Sequence, residues 1–181
     1  MRLLITVRIP KNIVLELDGY RKKYNPSGIS HSSAHITLVP PFVLRAGLIP
    51  LIKDITLCLE EFGPFRMRID GLGWFDNRVL FAKSSCPAKL QRLHSLLKKL
   101  VQKKHRMGAR STYWAFSKYN PHITLSKDTE RNIQRYKKEL KGFRYTRTFT
   151  VDGVNLCVQR RDGRWILRKE FLFKKRKQKS R

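Results

Sequence analysis

Acidic residues are scarce in this chain of 181 residues, which has 13 Asp and Glu against 40 Lys and Arg and a formal charge of +27 at pH 7. Cysteine is scarce too, because Cys58, Cys86 and Cys157 are widely spaced and form no CxxC pair. This argues against a disulfide scaffold and a structural zinc site, and it favours a reducing compartment such as the cytoplasm. No run approaches the roughly 18 apolar residues of a membrane span, so we expect no membrane insertion.

The positive charge indicates an anionic partner. Hydrophobic residues make up 41% of the sequence, enough for a packed core, so the charge does not indicate general disorder. An excess this large repels itself in the folded state unless an anion screens it. Because Lys and Arg release counterions from polyphosphates, RNA or DNA is the expected partner. The alternative is a charged surface that serves only solubility.

Hydrophobic periodicity and turn residues predict helices interspersed with strands. Because the chain ends in a meander and no linker divides it, we predict one α+β domain at residues 1–173 with largely antiparallel sheets, followed by a basic, flexible tail at 174–181. Helices are predicted from Asn12 to about residue 20 and at 48–62, 87–104 and 129–140. Strands are predicted at 3–9, 35–39, 65–72, 79–82, 122–126, 144–151, 154–159 and 165–173, with Pro40 and Pro41 ending the second.

One tetrapeptide occurs twice. The residues HITL at 35–38 recur identically at 122–125. At ordinary composition, the chance that any two of the five histidines are followed by the same three residues is roughly 0.002. A repeat that begins with a scarce titratable residue therefore favours a functional origin.

The repeat predicts which side chains share a face. In a strand, residues i and i+2 point the same way, so His35 and Thr37 lie on one face while the isoleucine and leucine enter the core. His122 and Thr124 are predicted to do the same. If two similar halves face one another, two imidazoles meet across a cleft with a threonine beside each.

This arrangement suits reaction at a phosphodiester. Displacement at phosphorus needs a base for the nucleophile and an acid for the leaving oxygen, and histidine can do either at neutral pH. Two imidazoles supply both roles without a metal. Threonine hydroxyls can donate hydrogen bonds to the non-bridging oxygens, where negative charge accumulates. The alternatives are ordinary histidines at a sheet edge and threonines chosen only as strand formers.

The sequence resembles the two-histidine (2H) phosphoesterase superfamily, whose signature is this pair of H-x-T motifs. The resemblance is to the branch of 2′-5′ RNA ligases and RNA 2′,3′-cyclic phosphodiesterases, and it covers nearly the whole chain. Residues 34–42 (AHITLVPPF) resemble the first motif of that branch, and 71–75 (GLGWF) its glycine–phenylalanine segment. Residues 90–94 (LQRLH) resemble the helix that follows, and 119–122 (YNPH) the approach to the second motif.

The resemblance implies two pseudo-symmetric lobes around a cleft, with helices outside and His35, Thr37, His122 and Thr124 catalytic. Members act on 2′,3′-cyclic phosphates or 2′-5′ linkages without a metal or nucleotide cofactor, so we expect an RNA substrate, no cofactor, no metal and a monomer. Many relatives carry arginine five residues after the second histidine. This chain has Lys127 there, which keeps the charge but loses the bidentate contact.

Four residues are predicted to contact the substrate. Lys127 is one of them. Phe42 and Arg45 follow the first motif and are predicted to line the cleft. Tyr119 precedes the second motif and is predicted to contact RNA, since aromatic rings can stack on unpaired bases.

The other histidines are interpreted as structural. His94 lies beside a leucine stripe and is expected to pack within its helix, whereas His105 lies in a charged loop and is expected to be solvated. His31 and His35 have the spacing of a helical zinc site, but the serines between them argue against a helix, and no carboxylate or cysteine is near.

Three functions remain open from sequence. The first is an enzyme that hydrolyses RNA 2′,3′-cyclic phosphates or reversibly forms 2′-5′ bonds. The second is a related 2′-5′-oligonucleotide phosphodiesterase or RNA end-trimming exonuclease. The third is a basic RNA-binding module without activity, and the two intact motifs count against it because a pure binder needs no exposed imidazoles.

Overall fold

Strands and helices alternate along the chain in the computed structural model, which describes residues 1–107 and 119–174. The remainder of the predicted basic tail after Lys174 lies outside these ranges. The strands are β1 (Arg2–Val7), β2 (Thr37–Val43), β3 (Phe65–Phe75), β4 (Val79–Ser84), β5 (Arg106–Met107), β6 (His122–Lys127), β7 (Thr146–Val151), β8 (Gly153–Gln159) and β9 (Trp165–Leu172). The helices are α1 (Lys11–Tyr24), α2 (Pro26–Ile29), α3 (Leu48–Leu59), α4 (Ala88–Lys104) and α5 (Glu130–Glu139).

The strands form two antiparallel sheets, and the predicted α+β class is confirmed. The five-stranded sheet has the order β5-β2-β1-β8-β9, and the four-stranded sheet has the order β6-β4-β3-β7. Neighbouring strands pair antiparallel in both. The two copies of the tetrapeptide therefore belong to different sheets, because β2 follows the first histidine and β6 begins with the second.

Two helices cross from one sheet to the other. Helix α1 follows β1 of the five-stranded sheet but contacts β6 of the four-stranded sheet. Helix α4 follows β4 of the four-stranded sheet but contacts β2. The predicted leucine stripe of α4 is its buried face, since Leu90, Leu93, Leu97 and Val101 are all fully buried. Each repeated strand is thus covered by a helix from the opposite half of the chain.

Strand β2 continues through Pro40 and Pro41 to Val43, so the prediction that the prolines end it is wrong. Proline has no backbone N–H to donate between strands, but the register of β2 against β1 shifts twice along this stretch. An irregular register leaves positions where no donor is required, and proline is tolerated there. The extension brings Phe42 into the sheet, opposite Leu3 and Met107.

None of the helices within residues 1–107 and 119–174 is long and apolar enough to cross a membrane.

We predict that Gly153→Ala lowers the free energy of unfolding by about 1–3 kcal/mol, the cost of overpacking a close contact. A Cβ at this position in β8 would overlap the backbone carbonyl oxygen of Phe171 in β9, which cannot rotate away. The matched control is Gly19→Ala on the exposed side of α1, where nothing lies within 4 Å of the new Cβ. That change should stabilise by about 0.5–1 kcal/mol. Urea unfolding measures both, and equal effects would contradict the prediction.

Candidate active site

Burial alternates along both copies of the tetrapeptide, as strand periodicity predicts. Ile36 and Leu38 are 0% and 1% exposed, and the equivalent Ile123 and Leu125 are 0% and 3% exposed. The histidine and threonine of each copy are only half-buried. The apolar pair holds each strand in the core, and the polar pair faces away from it.

Residues from both copies meet at one cavity. The cavity has a volume of about 330 Å³, and its lining includes His35 from the first copy and Thr124 from the second. His122 is near enough to His35 for its positive charge to lower the pKa of that imidazole. The phenol of Tyr119 also joins the halves, because its hydroxyl donates to the Thr37 carbonyl at 2.9 Å. The two strands therefore contribute to a shared cleft.

Both imidazoles are oriented by the same local contact. The Nδ1 of His35 lies 2.8 Å from the Ser33 carbonyl oxygen, and the Nδ1 of His122 lies 2.8 Å from the Asn120 carbonyl oxygen. Since a carbonyl can only accept, each Nδ1 carries the hydrogen. Nε2 is then the nitrogen that accepts a proton in the neutral ring.

A buried ion pair on α1 positions the segment before His35. Arg21 is 4% exposed, and its Nη1 donates to Asp18 at 2.6 Å and to the Ser32 carbonyl at 2.7 Å. Asp18 also accepts from the Ala34 backbone N–H at 2.8 Å. Sequence reasoning missed this pair. The signal was an arginine four residues after Leu17, on the buried face of an otherwise amphipathic helix.

His122 is packed against two aromatic rings, in contrast to the polar surroundings of His35. The ring centroids of Phe75 and Phe81 lie 4.9 and 5.2 Å from its imidazole, and the two phenyl rings stack at 4.1 Å. Gly73 leaves room for this arrangement, because a Cβ there would overlap the Phe81 ring. The GLGWF segment was noted from sequence, but its contact with the second histidine was not.

His94, in α4, and Tyr119, just before β6, support the first motif. Their rings stack at 3.9 Å with an interplanar angle of 5°. The Nδ1 of His94 donates to the Leu38 carbonyl at 2.7 Å, next to the Thr37 carbonyl that Tyr119 contacts. Burial lowers the pKa of His94 and raises that of Tyr119, so both remain neutral at pH 7. The packing role expected for His94 is observed, and Tyr119 positions the motif from within the protein.

Phe42, Arg45 and His105 lie elsewhere than predicted. Phe42 is 1% exposed and belongs to the core, so it does not line the cleft. Its ring lies 5.7 Å from that of His105, which is 7% exposed and is therefore not solvated. Thr37 is the first residue of β2, and Arg45 comes after its last residue. A strand of this length spans roughly 20 Å, so Arg45 lies far from the motif. Its backbone N–H donates to His105 Nδ1 at 3.3 Å.

Cationic and polar groups complete the cavity wall. Lys127 is exposed and lines the same cavity as His35 and Thr124, together with Arg21 and His31. The structure thus brings Lys127, but not Phe42 or Arg45, to the cleft. Among residues 1–107 and 119–174, no three His, Cys, Asp or Glu side chains are grouped so as to hold a metal ion.

Both motif imidazoles favour the neutral form. Burial lowers the pKa of His35 and of His122 below the ordinary 6.5, and the carbonyls of Ser33 and Asn120 only partly oppose this effect. The positive charge of Arg21 lowers the pKa of His35 further. An anion in the cleft would raise both pKa values, because it stabilises the protonated ring. Both imidazoles are therefore groups whose protonation an anion bound nearby would change.

Comparison with known proteins gives a family and a fold. A family model described as the 2′-5′ RNA ligase superfamily matches residues 9–163. The crystal structure of TT0787 of Thermus thermophilus has 20% identity and a TM-score of 0.67, covering 98% of this chain and 100% of its own. Escherichia coli LigT in complex with 3′-AMP has 19% identity and a TM-score of 0.57, covering 95% and 96%. A structure described as a phosphoesterase has 18% identity and a TM-score of 0.60, covering 95% and 98%. The curated proteins contain no match.

We predict that Gly73→Ala displaces the imidazole of His122 but not that of His35. The new methyl group would push the Phe81 ring, which contacts His122 and is 5% exposed. The measurement is the histidine ring resonances by NMR, where ring currents from Phe81 make His122 sensitive to the displacement. Gly19→Ala is the control and should move neither ring. An unchanged His122 resonance in Gly73→Ala would mean that Phe81 yields without affecting the imidazole.

Proposed function

Since this chain belongs to the 2′-5′ RNA ligase superfamily, we propose that it is an RNA phosphoesterase that acts without a metal at 2′,3′-cyclic phosphate ends. The activity is hydrolysis of the cyclic phosphate, reversible formation of a 2′-5′ bond, or both. The observation that carries this proposal is the matched pair of histidines, each with Nδ1 on the carbonyl two residues before it. We infer that the two imidazoles, oriented alike, act together at the cleft as a base and an acid, although His35 but not His122 lines the cavity itself.

The proposed reaction needs one neutral and one protonated imidazole. Nε2 of the neutral ring takes the proton of water, or of an RNA 5′-hydroxyl, as that oxygen bonds to phosphorus. The protonated ring gives its proton to the departing ribose oxygen. Because a 2′-5′ bond keeps phosphorus on the 2′ oxygen, the bond to the 3′ oxygen is the one that breaks. Hydrolysis by the same geometry leaves a 2′-phosphate and a 3′-hydroxyl.

Hydroxyls and cations stabilise the charge that develops on phosphorus. We assign Thr37 and Thr124 to the non-bridging oxygens, because burial alternates along each copy of the tetrapeptide and leaves the threonine half-buried like the histidine two residues before it. Lys127 adds a positive charge at the cavity, as a point charge without the bidentate geometry of arginine. A similar protein of known structure, E. coli LigT, was solved with 3′-AMP and with phosphate, which supports a nucleotide phosphate as ligand here.

The charge of +27 supports RNA as the partner. It fits a basic RNA-binding module equally well, so turnover is what separates the two proposals. We also propose that the protein acts as a monomer, because one chain contributes His35 and Thr124 to the same cavity. Cys58, Cys86 and Cys157 form no disulfide, which fits a reducing compartment such as the cytoplasm.

We predict that His35→Ala and His122→Ala each lower turnover of an RNA with a 2′,3′-cyclic phosphate by about 10²–10⁴-fold, the usual contribution of a general acid or base. Affinity for the RNA should change much less than turnover, because most of it comes from Lys and Arg contacts to phosphates along the strand. The assay is run in EDTA, and product analysis separates hydrolysis from joining. Thr37→Ala and Thr124→Ala should also lower turnover, whereas the control Thr56→Ala, at an exposed position of α3, should not. A loss of affinity with unchanged turnover would contradict these roles.

We predict that kcat/KM has a bell-shaped pH dependence with its maximum below pH 6.5. Activity falls as pH drops through the lower pKa, because the base becomes protonated, and falls as pH rises through the higher pKa, because the acid loses its proton. Burial places both pKa values of the free protein below 6.5. The maximum for kcat should lie at higher pH, since bound phosphate raises both values. A kcat/KM that does not change with pH between pH 5 and 9, or one that peaks above neutrality, would contradict paired acid–base chemistry.

A further inference from the structure

A second cavity of about 470 Å³ lies on the other side of α1 from the cleft. It is formed by the C-terminal half of α1, the segment after α5, and the start of β7, and no part of the chemistry proposed above uses it. Its wall is rich in aromatic residues and has cations at its rim. The lining residues, which we call the aromatic groove, are Glu16, Gly19, Tyr20, Lys23, Tyr24, Leu140, Phe143, Tyr145 and Arg147.

Three of the four aromatic rings of the groove pack against one another. Tyr20 meets Phe143 edge-on at 5.2 Å and Tyr145 at 6.0 Å, and the planes of Phe143 and Tyr145 are within 2° of parallel at 6.5 Å. Tyr145 is buried, and its hydroxyl donates to Glu16 at 3.0 Å. Tyr20 and Phe143 are only half-buried. The groove thus presents ring surfaces to solvent on a rigid base.

The groove carries positive charge where a phosphate backbone would pass. Lys23 and Arg147 are exposed at its rim, and Lys141 and Arg144 are exposed in the adjoining segment. The two nearby carboxylates are already paired, Glu16 with Arg147 at 2.9 Å and Glu139 with Lys23 at 3.1 Å. These two ion pairs balance the charges of Lys23 and Arg147, so the excess positive charge beside the groove comes from Lys141 and Arg144. It favours an anionic ligand and disfavours a cationic one.

The aromatic groove and the cleft share the last turns of α1. Arg21 and Asn25 line the cleft cavity, whereas Tyr20 and Tyr24 line the groove. The Ser126 hydroxyl, in the strand that bears Thr124, donates to the Tyr24 carbonyl at 2.5 Å. A helix with its side chains is about 10–12 Å across, so a few nucleotides can pass from one cavity to the other.

We propose that the aromatic groove binds unpaired bases of the RNA whose end occupies the cleft. Bases stack on Phe143 and Tyr20, and the adjoining phosphates contact Lys141 and Arg144. Stacking on aromatic rings beside cations is how proteins hold single strands with little sequence preference. The identity of the ligand as RNA rests on the proposed function. The groove makes an oligonucleotide, and not a mononucleotide, the preferred substrate.

The test compares three probes in Phe143→Leu and Tyr20→Leu. They are a single-stranded RNA of about 12 nucleotides with a 3′-hydroxyl, an abasic strand of equal length, and adenosine 2′,3′-cyclic monophosphate. Anisotropy should show a dissociation constant for the RNA raised by about 5- to 100-fold, the range measured for loss of one stacked base. Affinity for the abasic strand and kcat/KM for the mononucleotide should stay unchanged. Phe143→Trp is the matched control, keeps the ring face and should bind RNA normally, and melting temperatures check that each variant folds.

The outcomes separate this proposal from the proposed enzymatic function. If the wild-type protein turns over the cyclic mononucleotide but the leucine variants bind RNA normally, the groove proposal is wrong and the enzymatic function stands. If the wild-type protein shows no turnover but the variants lose RNA affinity selectively, the groove proposal stands and the enzymatic function is wrong. Equal weakening of binding to the RNA and to the abasic strand would also overturn base stacking. So would a groove that binds the cation tetramethylammonium in preference to the RNA, because aromatic rings can also bind cations.

Discussion

The contact between a histidine Nδ1 and the carbonyl two residues before it sets the chemistry available at the cleft. It occurs twice, at 2.8 Å each time, from His35 to Ser33 and from His122 to Asn120. Each contact fixes the tautomer and leaves Nε2 for proton exchange. Because the acceptor is backbone, the imidazole is only as well placed as the segment before it. Much of the surrounding structure serves to hold those two short segments.

The two segments are held by different means. The Arg21–Asp18 pair on α1 bonds the residues before His35, in a polar and buried setting. The segment before His122 is held by aromatic contacts instead. Tyr119 is stacked against His94, and Phe75 and Phe81 pack on the ring of His122. The crossing of α1 and α4 between the sheets makes each motif depend on the opposite half of the chain. Nearly equivalent segments therefore place their imidazoles in unequal surroundings.

Charge is distributed so that the surplus remains available to a ligand. Several of the few carboxylates have local partners, as Asp152 does with Arg8 and Asp54 with Lys104. These pairs are partly exposed and contribute little stability each. The excess cations are left on the surface, where the self-repulsion they cause is relieved when an anion binds. A polyanion that spans both the cleft and the aromatic groove would use this surplus at two places.

The sequence alone determined the α+β class, most of the helices and strands, and the faces of the two motif strands. Those features follow from local periodicity, in which isoleucine and leucine alternate with histidine and threonine. Local reasoning failed at Pro40 and Pro41, where irregular pairing with β1 lets the strand continue and buries Phe42. It failed again at His105, which packs on Phe42.

Only the tertiary structure decided which groups surround each imidazole. Arg21 and Asp18 reach His35 from a helix earlier in the chain, and Phe75 and Phe81 reach His122 from the strands before it. Residues distant in sequence come together through sheet pairing and helix packing, which no local pattern records. The motifs specify which side chains face outward along their strands, whereas the fold specifies what those side chains face.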